Sequence, residues 1–209
     1  MHNAEKDARG MAEKRQKLIE VGFALFVDRS IDAVSLETVA KASGVGVATL
    51  YRYFGNKVEL AVAISEWQWR EYLNTRAQGR NMGNWTGAQI FAYYLDGFLD
   101  LFRSHRELLR YNQLFNIFVR GAGADDTALA PFTRVIDGLA KRFEYCWQLG
   151  ASDGTLRTDT PWQQAFSTTL HIMLAAVTRY AVGLVYNAGI DPETELILLR
   201  DMLMKQYAV

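Results

Sequence analysis

Residues 35–57 read SLETVAKASGVGVATLYRYFGNK and contain two short helical segments on either side of Gly44. Ser35, followed three residues later by Thr38, predicts a capped first helix that ends just before the glycine. Gly44 permits the left-handed backbone of a tight turn, and a second helix is expected over about 47–54. Two short helices joined by a glycine-containing turn are typical of the helix-turn-helix unit, whose second helix enters the major groove of DNA.

The apolar residues of this stretch share one face, which should pack on an amphipathic helix predicted over residues 11–28. They are Leu36, Val39, Val45, Leu50 and Phe54. Ala40 is small where the two helices of the motif cross. The outward face of the second helix then presents Val47, Ala48, Thr49, Arg52 and Tyr53.

At these residues the sequence resembles the TetR family of bacterial transcriptional regulators. The matching elements are Val39-Ala40, Gly44-Val45, Thr49-Leu50-Tyr51, Tyr53-Phe54 and Asn56-Lys57. The close resemblance covers roughly residues 11–64. It implies a DNA-binding domain over residues 1–57 and an effector-binding and dimerisation domain over residues 58–209, linked by a helix that begins at about residue 57.

Position by position, the resemblance implies three contacts to DNA phosphates, from Tyr51, Tyr53 and Lys57. Ser35 is a further candidate for a phosphate contact or a helix cap. The groove-facing candidates are Val47, Ala48, Thr49 and Arg52. Thr49 and the small apolar residues suit thymine methyl groups, and an arginine suits guanine. The residues alone leave two alternatives open: Tyr51 as a partly buried brace of the motif, and Arg52 as a solvated surface charge.

Gly46 is a departure from the family pattern, because many members have Ser or Thr at this position. The second helix of the motif is therefore expected to have a weaker N-cap and one phosphate contact fewer.

The composition excludes several classes of protein. The chain has 209 residues, of which 50% are hydrophobic and 22% charged, a balance that disordered chains do not have. Cys146 is the only cysteine, which argues against a disulfide-rich secreted protein. The charged start does not resemble a signal peptide, and residues 170–189, although apolar, carry His171 and Arg179, which are costly inside a bilayer. We therefore expect a cytoplasmic protein that does not bind membranes.

The net charge gives no sign of a nucleic-acid partner, since 23 basic and 23 acidic residues cancel. The case for DNA binding depends on where particular residues lie.

The rest of the chain is predicted to be helical, because proline is absent before Pro131 and alternating β patterns are absent. Helices are expected over about 57–76, 86–104 and 105–120. Pro131, Pro161 and Pro192 should each lie in the first turn of a further helix, the last two after capping Thr160 and Asp191. The predicted fold is all-α with about nine helices.

The final two helices carry apolar residues on more than one side, which predicts burial on both sides. The family resemblance implies that they pair with the same helices of a second copy in a four-helix homodimer interface. The interface candidates are Ala176, Arg179, Gly183, Leu199 and Leu203. The alternative is an ordinary monomer core. A dimer of this kind should recognise a palindromic operator in double-stranded DNA.

The middle helices are rich in aromatic and amide side chains, a composition that fits a ligand cavity and equally a filled core. The resemblance favours an effector pocket for a small molecule. Its candidate residues are Trp67, Tyr94, Phe98, Tyr111, Asn112, Phe115, Trp147 and His171. For His171 the alternative is a satisfied buried hydrogen bond.

Catalytic signals are missing from the sequence. The three histidines, His2, His105 and His171, are far apart, and no metal-binding spacing, nucleophile elbow or phosphate loop is present. We expect no catalytic residues, no metal and no cofactor. The competing hypothesis is an all-α small-molecule carrier or enzyme that retains the helical hairpin without binding DNA.

Overall fold

The computed structural model describes residues 2–157, 159–183, 185 and 189–209. Those residues form nine helices and, within the same ranges, no strand longer than an isolated bridge between Leu156 and Ala208. The prediction of an all-α fold is confirmed. The helices are α1 (His2–Arg29), α2 (Leu36–Ser43), α3 (Val47–Tyr53), α4 (Lys57–Ala77), α5 (Gly87–Ser104), α6 (Arg106–Gly121), α7 (Asp126–Asp153), α8 (Trp162–Val182) and α9 (Pro192–Tyr207).

Of the three prolines, only Pro192 lies in the first turn of its helix as predicted. Asp191 caps α9 through a bond from the Thr194 N–H to its carboxylate, and Pro192 opens the helix as expected. Pro161 is the N-cap residue of α8, so Thr160 does not cap it. The expectation for Pro131 was wrong, because Pro131 lies inside α7. The Asp125 carboxylate accepts the Ala128 N–H and starts the helix more than a turn earlier than the proline.

The chain divides into two compact units, of which the first comprises Met1–Glu71 and Tyr111–Arg134. Its core is formed by α1, the two helices of the motif, the first part of α4 and most of α6. Leu18, Phe26, Leu50 and Ile64 are fully buried there. The hydroxyl of the buried Tyr111 donates to the Ala61 carbonyl over 2.8 Å and so ties α6 to α4.

The second unit comprises Tyr72–Arg110 and Val135–Val209. In it α5 packs against α8 and α9, and its first residue Gly87 meets Gly150 of α7 so closely that a methyl group on either glycine would overlap its neighbours. The N-terminus of α5 is capped by the end of α7, because Asp153 accepts the Gly87 N–H over 2.8 Å. A hydrogen bond from the Thr155 hydroxyl and, to a smaller extent, this bond from Gly87 lower the pKa of Asp153.

The division of the chain at residue 57 remains a prediction. Helix α4 begins in the first unit and ends in the second, as a linking helix would. Within the described ranges, no helix is both long enough and apolar enough to cross a bilayer.

Candidate nucleic-acid interface

The turn between α2 and α3 has the geometry that its sequence predicts. Ser35 caps α2 by accepting the Thr38 N–H over 3.1 Å. Gly44 has φ +67°, in the left-handed region, and its N–H donates to the Lys41 carbonyl. The Val45 N–H donates to the Ala40 carbonyl over 3.0 Å, which completes the pair of bonds that commonly ends a helix at a glycine. These bonds hold the two helices of the motif at a defined angle.

The face of α3 that packs inward and the face that points to solvent are clearly separated. Leu50 is fully buried. The outward residues Val47, Ala48, Tyr51 and Arg52 are exposed, and Thr49 and Tyr53 are half-buried. Positions 47, 48, 51 and 52 lie three or four residues apart and therefore form one continuous surface.

The N-terminus of α3 lacks a side-chain cap, as Gly46 predicts. Its backbone has φ −62° and ψ 141°, which any residue adopts, and a Cβ on Gly46 would meet only the Thr49 hydroxyl at 3.9 Å. The Thr49 N–H donates to the Gly46 carbonyl over 2.9 Å, which leaves the N–H groups of Val47 and Ala48 open to an external acceptor.

Tyr51 is exposed, but its hydroxyl proton is already used. It donates to the Glu37 carboxylate on α2 over 2.9 Å. This bond raises the pKa of Tyr51. Hydrogen bonds from the backbone of Glu37, from Tyr51 and from Ser35 lower the pKa of Glu37, so this carboxylate is ionised at neutral pH. Glu37 is a site residue that our reading of the sequence missed, since its spacing of 14 residues from Tyr51 carries no local signal.

Tyr53 and Lys57 lie at the C-terminal end of the motif. The Tyr53 hydroxyl is buried without a hydrogen-bond partner, and the Arg52 guanidinium stacks over the Tyr53 ring at 5.6 Å. The Lys57 amine donates to the carbonyls of Ile31 and Asp32 over 3.0 and 3.2 Å. Lys57 thereby ties the start of α4 to the segment that precedes α2, and one ammonium hydrogen remains for another acceptor.

The structure adds two basic residues from α1 to this surface. The Arg15 guanidinium stacks over the Phe54 ring at 5.1 Å, at the end of α3. The Lys17 Nζ lies 3.9 Å from the position that a Cβ on Gly44 would occupy. In the sequence, these two residues are visible only as part of the basic run Lys14-Arg15-Gln16-Lys17. The packing of α1 shows that this run lies next to the motif.

Comparison with known proteins agrees with this geometry. Residues 18–64 match the family described as bacterial regulatory proteins, tetR family. An HTH-type transcriptional regulator of Staphylococcus aureus (strain USA300) is 38% identical over 55 residues, which are 26% of this chain and 28% of that protein. The chain thus covers less than a third of that relative's length.

Solved structures share the fold over nearly the whole chain. FadR from Bacillus subtilis, in complex with stearoyl-CoA, matches with a TM-score of 0.71 at 14% identity, over 90% of this chain and 97% of that one. A regulator described as putative, from Saccharomonospora viridis in complex with choline, matches with a TM-score of 0.73 at 14% identity, over 95% and 99%. Residues 18–64 thus carry the sequence pattern of the tetR family, and the chain as a whole shares its fold with a solved regulator described as a TetR family protein.

The predicted effector-pocket residues fall into both units. Tyr111 and Phe115 are fully buried in the first unit, where Trp67 and Asn112 also lie. The second unit holds Tyr94, Phe98, Trp147 and His171. Phe143 and Phe91 pack on Trp147, and the Tyr94 hydroxyl donates to the Arg142 carbonyl. His171 is exposed on α8, so it is not a satisfied core histidine. The pocket itself remains a prediction.

A charged groove of about 570 Å³ lies in the second unit, and none of the eight predicted pocket residues lines it. Arg76 is stacked on Tyr93 at 4.3 Å there, and Arg200 pairs with Asp96 over 3.0 Å. Within the part of the chain that the structure describes, no three His, Cys, Asp or Glu side chains are grouped so that they could hold a metal ion.

The two last helices expose apolar side chains to solvent. Ile172 and Val182 of α8 are 39% and 40% exposed. On α9 the corresponding side chains are Ile197, Leu198 and Met202. Of the predicted interface residues, Arg179 and Gly183 are exposed, Ala176 and Leu199 are half-buried, and Leu203 is buried within its own chain.

Proposed function

We propose that this protein is a ligand-responsive transcriptional regulator of the cytoplasm, which binds a palindromic operator as a homodimer, represses transcription and is released by a small-molecule effector. The observation that carries the proposal is the outward surface of α3, exposed at Val47, Ala48, Tyr51 and Arg52 on a rigid helix-turn-helix frame.

The chemistry around this surface suits the DNA backbone. Arg15, Lys17 and Lys57 border the motif and supply positive charge, and the uncapped N-terminus of α3 supplies backbone N–H donors. Contacts of these types set the register of a protein on the duplex. Val47 and Ala48 then suit thymine methyl groups, and the Arg52 guanidinium suits guanine.

A homodimer is supported by the exposed apolar residues of α8 and α9. Pairing with a second copy would remove them from water, which is the main favourable term in association. A two-fold dimer presents two α3 helices, and these reach half-sites about 34–36 Å apart on one face of the duplex. The operator should therefore be an inverted repeat.

Regulation by an effector is supported by two structural neighbours whose crystals contain small molecules, stearoyl-CoA in one and choline in the other. In this chain α4 extends from the unit that holds the motif into the second unit. An effector that prefers a shifted position of α4 would change the spacing of the two α3 helices. A coupling free energy of about 1–3 kcal/mol would lower operator affinity by about 5- to 150-fold.

Selection of binding sites from random duplex DNA, at two salt concentrations, tests the proposal. We expect a two-fold symmetric site whose affinity falls steeply with salt. Lys17→Gln should reduce the slope of the logarithm of the DNA-binding constant against log salt by about 1. Lys141→Gln, the same change at an exposed position of α7 in the second unit, should leave the slope unaltered. A folded dimer that enriches no sequence would refute the regulator and favour the carrier or enzyme.

A further inference from the structure

The hydrogen bond between Tyr51 and Glu37 has a chemical consequence for DNA recognition. A phenol has one proton to donate, and in this structure Glu37 accepts it. A phosphate has only acceptor oxygens. Tyr51 therefore cannot donate to the DNA backbone while this bond exists, and the ionised Glu37 beside it would repel a phosphate.

At this point of the surface, Tyr51 and Glu37 can still accept hydrogen bonds but cannot donate them. The Tyr51 oxygen keeps its lone pairs, and the Glu37 carboxylate, which accepts from Tyr51, from Ser35 and from its own backbone, has about four acceptor sites and so keeps one. Both residues are exposed, and Tyr51 shares the outward face of α3 with Val47 and Ala48. In the major groove, only the exocyclic amino groups of cytosine (N4) and adenine (N6) donate hydrogen bonds, and a carboxylate pairs well with cytosine N4.

We infer that Glu37 and Tyr51 together form a base-reading element, which accepts a hydrogen bond from the exocyclic amino group of one base in each half-site. The element selects sequence and weakens binding to DNA in general, since its negative charge opposes the backbone. This inference rests on the proposed function, and it replaces a phosphate contact by Tyr51 with a specificity contact by the pair.

The position of Glu37 agrees with this role. It lies in the first turn of α2 after the Ser35 cap, where the partial positive charge of the helix N-terminus favours a carboxylate. Helix α2 is fixed by the turn at Gly44, so the carboxylate is held in place before DNA arrives. Tyr51 in turn is oriented by a partner outside its own helix, and pre-organisation of this kind improves discrimination between bases.

The test compares Glu37→Ala and Tyr51→Phe with the unaltered protein in the same selection from random duplexes. We expect both variants to lose preference at one symmetric pair of positions by about 5- to 150-fold and to keep the preference elsewhere. Glu37→Ala, which leaves no acceptor, should bind unrelated DNA up to about fivefold more tightly, because a charge near the phosphates is removed. Glu107→Ala removes the same charge from the second unit and should change neither quantity.

Base analogues identify the donor. The selected operator is made with purine in place of adenine, or with 2-pyrimidinone in place of cytosine, so that only the amino group is lost. If Glu37 accepts from that group, deleting the group should weaken operator binding by the unaltered protein and leave binding by Glu37→Ala nearly unaffected, a coupling that independent contacts do not show. Circular dichroism and thermal unfolding of each variant confirm that it is folded.

Two results would overturn the inference while the proposed function stands. One is retention of every base preference by both variants. The other is a loss of affinity in Tyr51→Phe that is equal for the operator and for unrelated DNA, which is the behaviour of a phosphate contact. If the unaltered protein selects no site at all, the proposed function fails and the inference fails with it.

Discussion

Gly150 of α7 offers a test of packing in the second unit, because no side chain fits at this position. A Cβ on Gly150 would lie 2.5 Å from Leu156 Cδ1 and 2.6 Å from Leu156 Cβ. Leu156 is 3% exposed, and its N–H donates to the Gly150 carbonyl over 3.1 Å. On another side, the backbone of Gly150 is so close to Gly87 that α5 blocks any movement of α7 in that direction. Leu156 therefore cannot move away from Gly150 without losing the hydrogen bond from its N–H to the Gly150 carbonyl.

The magnitude follows from these distances. Carbon atoms in contact are about 3.5–4.0 Å apart, so Leu156 would have to retreat by about 1 Å in Gly150→Ala. Overpacking of this kind costs about 1–3 kcal/mol, against about 0.5–1 kcal/mol that alanine gains over glycine within a helix. We expect a net loss of about 1 kcal/mol of unfolding free energy and a Tm lower by about 2–4 °C.

Gly138→Ala is the matched control, since it makes the same change in the same helix. A Cβ on Gly138 would meet nothing within 4 Å. The variant should gain about 0.5–1 kcal/mol of stability from reduced backbone freedom. Urea denaturation followed by far-ultraviolet circular dichroism measures both changes, with site selection as a check that each variant is functional. Equal stability of the two variants, or a Gly150→Ala protein more stable than Gly138→Ala, would show that the close approach of α5, α7 and Leu156 is not as described.

Three further predictions concern the caps and the core. Gly46→Ser should add an N-cap to α3 and raise the unfolding free energy in urea titrations by about a few tenths of a kcal/mol, whereas Gly46→Ala, which cannot accept a hydrogen bond, should show no gain. Tyr111→Phe should lower the unfolding free energy by about 0.5–1.5 kcal/mol through loss of the bond to Ala61, with an unchanged far-ultraviolet spectrum. The lowered pKa of Asp153 means that its stabilising effect is complete above the ordinary carboxyl pKa and is lost as the pH falls through the lowered value. The stability difference between the unaltered protein and Asp153→Asn should therefore shrink below about pH 4, and a difference that persists undiminished at lower pH would contradict the role of the charge.

Much of the candidate site was predictable because it is encoded locally. Ser35 and Gly44 specify the start and end of α2 by their own backbone and side-chain chemistry, and both act in the structure as predicted. The buried face of the motif follows from helical periodicity, which needs no knowledge of distant residues. Gly46 likewise shows its missing cap directly in the sequence.

Other features depend on which segments meet in space. Asp125 overrides Pro131 as the start of α7, because a side-chain cap one turn earlier is available to the folded helix. The bond between Glu37 and Tyr51, the stacking of Arg15 on Phe54 and the overlap of Gly87 with Gly150 join residues 14, 39 and 63 positions apart. Periodicity and capping operate within one or two turns of chain and carry no information about such pairs. The amino-acid sequence alone therefore determines the helices, the motif and its outward face, whereas the tertiary structure decides which charges border that face and which hydrogen bonds its side chains have already made.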